Sequence, residues 1–295
     1  MKKTVVIGLV VTLLGVVLFS IGLGHGGAKT VYWDHGFTTE SYAHVDSHQT
    51  SSQYDGIKNF DLSTDSPVQI KKGDVSKVEV TYPSATKITK SGDTLHFVLK
   101  LPQRRHSVIV FGSDFQRPSK SVGKTVITVP QDTEIGTITS NVSDSISVHN
   151  LTIKTITSSG VGDITLDHVV TKGNLNLDNT GDTTLSHSRF PNAKLDVGAG
   201  DVTLTSNTFK TMNVKTGAGD IDFNQQNVAE SFTAKSYVGD IDGKIARNKK
   251  TQVSVSADVG DVSVFGSSHK KQILSSVKHP VIYKFTSDVG DVDIH

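Results

Sequence analysis

The chain has 295 residues, of which 35% are hydrophobic and 6% aromatic, with 26 glycines against 7 prolines, a profile that suits a turn-rich β protein better than a helical enzyme. Its formal net charge of +1 argues against a dedicated nucleic-acid binder. It has no cysteine, which excludes disulfides, thiolate nucleophiles and Cys-based metal sites.

The first element is apolar. After Met-Lys-Lys the run from Thr4 to about Gly24, "TVVIGLVVTLLGVVLFSIGLG", carries no charge. Crossing a bilayer as a helix takes roughly 20 such residues, whereas the core of a cleaved signal peptide is only about 7–15 residues long. Residues 1–28 are therefore expected to form a cytoplasmic tip and a retained transmembrane signal anchor, although "GHGGA" at 24–28 leaves cleavage open. Lys2 and Lys3 precede the span, so the positive-inside rule places the N-terminus in the cytoplasm and the bulk outside a single-pass cell-membrane protein.

Residues 29–56 are polar and rich in Ser, Thr and His, and read as a stalk; "YWDHGF" (32–37) holds the single tryptophan, Trp33, as a group to dock on a neighbouring surface. Alternation then takes over in residues 57–141, with "VEVTY" (78–82), "TLHFVLKL" (94–101), "SVIVF" (107–111) and "TVITV" (125–129). Period-two patterning bounded by turn residues is the strand signal, and a small antiparallel β region is expected. Within it Lys100, Arg104, Arg105, Arg117, Lys120 and Lys124 are opposed only by Asp114. Ordinary solvated hairpin loops are the expected reading; the alternative is a surface-binding patch, since near anionic headgroups each basic residue gains about 1 kcal/mol.

From residue 142 to 295 one phrase returns: Gly162-Asp163, Gly181-Asp182, Gly200-Asp201, Gly219-Asp220, Gly239-Asp240, Gly260-Asp261 and Gly290-Asp291. The intervals between the aspartates are 19, 19, 19, 20, 21 and 30, and Asp144 stands 19 before Asp163 as a degenerate first copy. Recurrence at about 20 residues is the signature of a solenoid. Each pair is followed by alternating inward residues such as Val202/Leu204 and Ile221/Phe223, with Thr183/Leu185 and Ile241/Gly243 as weaker copies. Each is preceded by a second alternating pair: Ala193/Leu195, Met212/Val214, Phe232/Ala234, Val253/Val255 and Tyr283/Phe285. Phe190 and Phe209, also 19 apart, hint at a third segment. The expected fold is all-β: a single-stranded β-solenoid with coils of about 19–21 residues, in which stacking buries what one unit cannot. The interval of 30 marks an insertion at 266–280, expected to be a short helix or a lid, and the chain's last strand is expected to leave an exposed edge.

Three sets of residues could carry chemistry. Stacked carboxylates about 4.8 Å apart repel by roughly 1 kcal/mol per pair even in water. Asp can also cap exposed backbone N–H groups at a turn while Gly supplies its backbone angles. Capping is the expected role. A bridging cation is the alternative, although the Gly-Gly-x-Gly-x-Asp calcium repeat is absent. His149, His168 and His187 are each 19 apart and predict an imidazole ladder; stacked rings point the same way rather than converging on a metal, so a polar turn ladder is expected. No G-x-S-x-G, H-E-x-x-H or phosphate-binding glycine loop occurs, and neither catalytic residues nor a cofactor are expected.

A basic tip, one apolar span, a β-rich segment ending in "VPQDTEIGTITSN" (129–141) and repeated "GAGDI" or "VGDV" units resemble the putative-adhesin family of β-strand-repeat proteins. That family includes the LiaG-type membrane-anchored proteins of Gram-positive bacteria, found beside envelope-stress signalling systems. The resemblance covers roughly residues 57–295 and the anchor, and implies a solenoid-like domain outside the membrane with no catalytic residues. The expected function is a non-enzymatic, membrane-anchored envelope protein that binds wall polymer, anionic lipid or a partner protein, and no nucleic acid. Two other classes remain open: a scaffold self-assembling through solenoid ends, with "GDVDIH" as its handle, and a carbohydrate-active enzyme acting through Asp201 or Asp220.

Overall fold

Alternating apolar residues at a fixed interval can bury their inward face only by pairing with the same positions in the next coil, and that is how the chain is built. The computed structural model describes residues 48–100, 123–268 and 272–295, together with Thr12, Gly15 and the strand backbone of Val31–Trp33, Phe37–Thr38 and His106–Ile109. The anchor expected over residues 4–24 lies outside the described residues, Thr12 and Gly15 apart. Among the described residues no helix is long and apolar enough to cross a membrane.

Two compact units divide the chain, one of residues 1–45 with 101–121, the other of residues 46–100 with 122–295. In the first, Val31–Trp33 lies between Phe37–Thr38 and His106–Ile109 in an antiparallel sheet, with Trp33 opposite both Phe37 and His106.

The second unit carries two 13-stranded sheets. In the repeat region each coil gives a longer strand to one sheet, turns at Gly-Asp, and gives a short strand to the other. Arg189–Ala199 is followed by Val202–Thr205, and Thr208–Ala218 by Ile221–Asn224. Neighbouring coils are parallel and in register: Ala193 pairs with Met212, Leu195 with Val214, Val202 with Ile221. The inward positions read from the sequence are buried, and one continuous apolar core runs from Ile57 to Ile294. Phe190 and Phe209 are also in register and buried, at the start of the longer strands.

The weak copy at Gly243 has a physical reason. A Cβ there would lie 2.3 Å from the Phe223 ring, which packs edge-on to Phe232 at 5.0 Å and stacks on Phe285 at 5.1 Å. One coil's phenyl fills the place of the next coil's side chain.

Two expectations are corrected. Antiparallel pairing does not organise the whole of residues 57–141. Asn59–Thr64 and Val68–Gly73 pair in parallel with Ile135–Val142 and Ser145–His149, continuing the coils. Thr94–Leu99 and Thr125–Pro130 add a further parallel layer. Within the stacked unit the antiparallel partners of this region lie beyond that layer, at Lys87–Ser91, Val78–Pro83 and the polar strand Gln49–Tyr54. Alternation marks a half-buried strand but carries no direction, so parallel and antiparallel partners look alike in sequence.

The second correction concerns the order of the last coils. Val281–Val289 and Val292–Ile294, the C-terminal coil, sit between Asn227–Val238/Ile241–Gly243 on one side and Thr251–Val259/Val262–Val264 on the other. The chain therefore skips one place, lays down the outermost coil, and returns to fill the gap. The last strand is interior, not an edge. The insertion acts as a lid made of strands: Ser267–Ser268 and Gln272–Ile273 pair antiparallel with the outermost coil, and no helix occurs among its described residues.

Candidate functional site

Each coil turns at two corners, and the repeated polar residues gather there. At the first, Gly200, Gly219, Gly239, Gly260 and Gly290 have φ between 139° and 143°. A Cβ on Gly239 would stand 2.2 Å from the Gly219 carbonyl oxygen, so these corners need glycine both for conformation and for room. Gly162 and Gly181 do not take that φ, but a Cβ on Gly162 would meet the Asp144 carbonyl oxygen at 1.4 Å.

Beside the glycines the aspartates form one unbroken line. The Oδ1 of Asp163 accepts the backbone N–H of Asp182 at 2.9 Å, Asp182 that of Asp201 at 2.9 Å, and Asp201 that of Asp220 at 2.9 Å. The line continues from Asp220 to Asp240 at 2.7 Å, jumps to Asp291 at 2.7 Å, and ends on Asp261 at 2.8 Å, following the spatial order of the coils rather than the sequence. In the same steps the aspartate carbonyls accept N–H groups from the previous coil, as in Val202 to Asp220 and Ile241 to Asp291. A charged hydrogen bond contributes about 1.5–3 kcal/mol, against roughly 1 kcal/mol of repulsion per neighbouring pair. Attraction exceeds repulsion at each step, and the carboxylates accept the corner N–H groups of the neighbouring coil. Asp144 does not belong to the line: Ser145, not Asp144, pairs with Asp163.

A second ladder, on the inner side, was not foreseen. The hydroxyls of Thr216, Ser236 and Ser287, all buried, donate to the carbonyls of Gly200, Gly219 and Gly239 at 3.3, 3.1 and 2.9 Å. Its sequence signal was a Thr or Ser three residues before Gly219, Gly239 and Gly290.

Two positions past three of the corner aspartates, Asp222, Asp242 and Asp293 are in register on the outer face. Burial, then the charges of Asp242, Asp220 and Asp201, push the Asp222 carboxyl above the usual aspartate range. His295 meets this line, its Nε2 being 3.5 Å from Asp242 Oδ2 and 3.6 Å from Asp293 Oδ2.

The second corner is left-handed without glycine, at Asn150, His168, His187, Ser206 and Gln225, with φ between 48° and 57°. Here the expected ladder of three histidines is corrected. His168 and His187 do stack, their ring centroids 4.9 Å apart and their planes 17° from parallel. His149 is one residue short of the corner and pairs with Asp167 instead. Asp167 Oδ1 lies 3.0 Å from His168 Nδ1 and 3.4 Å from His187 Nδ1, accepts Ser186 Oγ at 2.7 Å, and Oδ2 lies 3.8 Å from His149 Nδ1. Burial works against this carboxylate, but the hydrogen bonds of His168, Ser186 and His187 outweigh it and hold its pKa down to about 2.

A groove of about 550 Å³ opens near the antiparallel end, floored by Ile57, Val78 and Ile135 and rimmed by Lys58, Lys77 and Lys154 with Asp55 and Glu134. Lys77 pairs with Asp55 at 3.3 Å, and Glu134 with Lys172 at 2.7 Å.

The sequence from residue 57 to 295 matches the Toastrack family, DUF4097. The chain belongs to that family. Among solved structures, the Toastrack chain is similar to a "putative adhesin" from Bacteroides fragilis NCTC 9343, with 15% identity, a TM-score of 0.51, and coverage of 84% of this chain and 96% of that one. A "putative cell adhesion protein" from Clostridium sporogenes ATCC 15579 aligns with 14% identity, a TM-score of 0.21 and coverage of 84% and 98%. No curated protein matches. The first likeness shows the fold, an all-β Toastrack architecture of parallel sheets.

Of the basic residues that form the alternative surface-binding patch, Arg104, Arg105, Arg117 and Lys120 lie outside the described residues of this Toastrack chain. Lys100 is exposed, and Lys124 donates to Gln69 Oε1 at 3.2 Å.

Proposed function

We propose that this Toastrack protein is a non-enzymatic binding protein of the cell envelope. The apolar run 4–24 holds it in the membrane, and its coils lie outside the cell, where they engage an anionic wall polymer. The observation that carries this reading is the aspartate ladder. The one motif repeated along the chain has its carboxylates engaged by the backbone N–H groups of neighbouring coils, which makes it a scaffold rather than a reacting centre. Lys58, Lys77 and Lys154 around an apolar-floored groove suit a phosphate- or carboxylate-bearing chain. The adhesin name of the Bacteroides fragilis relative agrees with a binding role. A place beside an envelope-stress signalling pair follows from the LiaG-type resemblance, and the neighbouring genes test it.

Two measurements decide the proposal. Protease added to intact protoplasts digests the coils; resistance until lysis overturns the orientation. Purified chain sediments with isolated cell walls, and Lys58→Glu with Lys154→Glu reduces the bound fraction severalfold. Failure to sediment with walls, or binding indifferent to both substitutions, overturns the polymer and its groove.

A further inference from the structure

We propose that Asp167, His168 and His187, with His149 at their edge, form a binding site for one divalent first-row transition ion of the zinc class. This inference stands apart from the envelope-binding reading and does not depend on it.

The regular step brings His168, His187 and Asp167 together, and a one-residue offset adds His149. In a perfect ladder, equivalent imidazoles from successive coils run parallel and share no focus. Here the coil containing Ser145–His149 is one residue out of step, so Ser145 pairs with Asp163 and His149 with Asp167, 18 residues apart, while the next two steps in the same sheet, Ile164 to Thr183 and Thr183 to Val202, keep 19. The offset sets Asn150, not a third imidazole, at the corner level with His168, and places His149 beside Asp167, the carboxylate that precedes His168 in its own coil. Three imidazoles from three coils then meet at one carboxylate.

Their spacing fits an ion. Around a tetrahedral centre with metal–nitrogen bonds of 2.0–2.1 Å, neighbouring donor atoms are about 3.3 Å apart. The Nδ1 atoms of His168, His187 and His149 lie 3.0, 3.4 and 3.8 Å from the Asp167 carboxylate, and the donors of Asp167, His168 and His187 all fall within 4.8 Å of one another. The two stacked rings must tilt to aim at a common point. Their side chains are 56% and 50% exposed, so nothing packs them in place. Ser186 Oγ donates to Asp167 Oδ1 at 2.7 Å and orients the carboxylate, the support that ligating carboxylates receive in metal sites. Two or three imidazoles with one carboxylate suit zinc, copper, nickel or cobalt rather than calcium or magnesium, which favour oxygen. The Asp242–Asp293–His295 group supplies a single imidazole, and serves as an internal control.

The test uses the full chain, purified without a polyhistidine tag. Zinc chloride is titrated calorimetrically, and cobalt(II) is followed by its visible absorption. One equivalent binds, and bound cobalt shows the intense visible bands of a four- or five-coordinate ion with nitrogen ligands. Replacing the corner histidines by asparagine removes the imidazole but keeps a residue that tolerates the left-handed corner, as Asn150 does at φ 57°. His168→Asn, His187→Asn and Asp167→Asn each weaken binding about tenfold or more, His149→Gln weakens it less, and His295→Gln leaves it unchanged. Unaltered melting of the metal-free variants shows that they fold. The site is refuted if no saturable uptake occurs, if uptake survives both His187→Asn and Asp167→Asn, or if only His295→Gln abolishes it.

Discussion

Asp220 performs two electrostatic roles of opposite sign. Its Oδ1 accepts the Asp240 N–H at 2.7 Å, while its charge opposes ionisation of Asp222. Substitutions separate the two. Asp220→Ala removes the acceptor and is expected to lower stability by about 1–2 kcal/mol. Asp220→Asn keeps an amide oxygen in the same place, sheds the charge, and is expected to stay within about 0.5 kcal/mol of wild type in urea unfolding. Equal losses in the two variants would mean that charge, not acceptance, holds the corner. Asp222 gives the complementary case. Its carboxyl is raised, so the stability it contributes is fully present below the ordinary aspartate value near 4 and is lost as pH rises through the raised folded-state value. Asp222→Asn is therefore expected to stabilise the protein at neutral pH by roughly 0.2–1 kcal/mol, the scale of exposed charge pairs. The gain disappears in acid and shrinks with salt. A variant advantage that persists at pH 3 would exclude a charge effect.

At the level of strands and corners, the coil interval and both inward-facing pairs could be read directly, because a fixed period and strict alternation are local properties of the chain. The corner glycines and aspartates were legible for the same reason. The one-residue offset at Asp163 was not: counting back 19 lands on Asp144, whereas pairing selects Ser145, and the place of His149 beside Asp167 depends on that slip. The strand Gln49–Tyr54 was missed because its face toward solvent leaves no apolar alternation to see. The weak copy Ile241/Gly243 reads as decay of the repeat until the Phe223 ring is found in the space. Gly243→Val is expected to cost about 1–3 kcal/mol by overpacking, since Phe223 is buried among Phe232 and Phe285. Adding Phe223→Val, which restores the pattern of Val262/Val264, is expected to recover part of that loss, giving a coupling of about 1 kcal/mol in a double-mutant cycle. Strict additivity would show that the ring and the missing side chain do not compete for one volume.

Across the whole unit of stacked coils, stability follows neighbours in space, and the C-terminal coil occupies an unusual place among them. An interval of 30 announces an insertion but cannot say which coil lies outermost, because either order satisfies the same inward pattern. Among the described residues, the observed order makes residues 281–295 the link within the sheets between the coil Asn227–Val238/Ile241–Gly243 and the coil Thr251–Val259/Val262–Val264. Tyr283, Phe285, Val292 and Ile294 are buried there, and burial of each such side chain contributes about 1.5–3 kcal/mol. Ser287 also donates to the Gly239 carbonyl, and Asp291 links the aspartate ladder across the junction. A chain truncated after Pro280 thus loses far more than one terminal repeat. It strands the outermost coil and its lid, which have no other sheet partners among the described residues, while coils further down keep theirs. Hydrogen exchange of the truncated chain is expected to show residues 251–264 unprotected, with protection in Val202–Thr205 and Thr183–Ser186 near wild type, as nearest-neighbour coupling requires. Were the last coil a terminal repeat instead, truncation would leave residues 251–264 protected as the new end of the stack, and the interior placement of "GDVDIH" would be wrong.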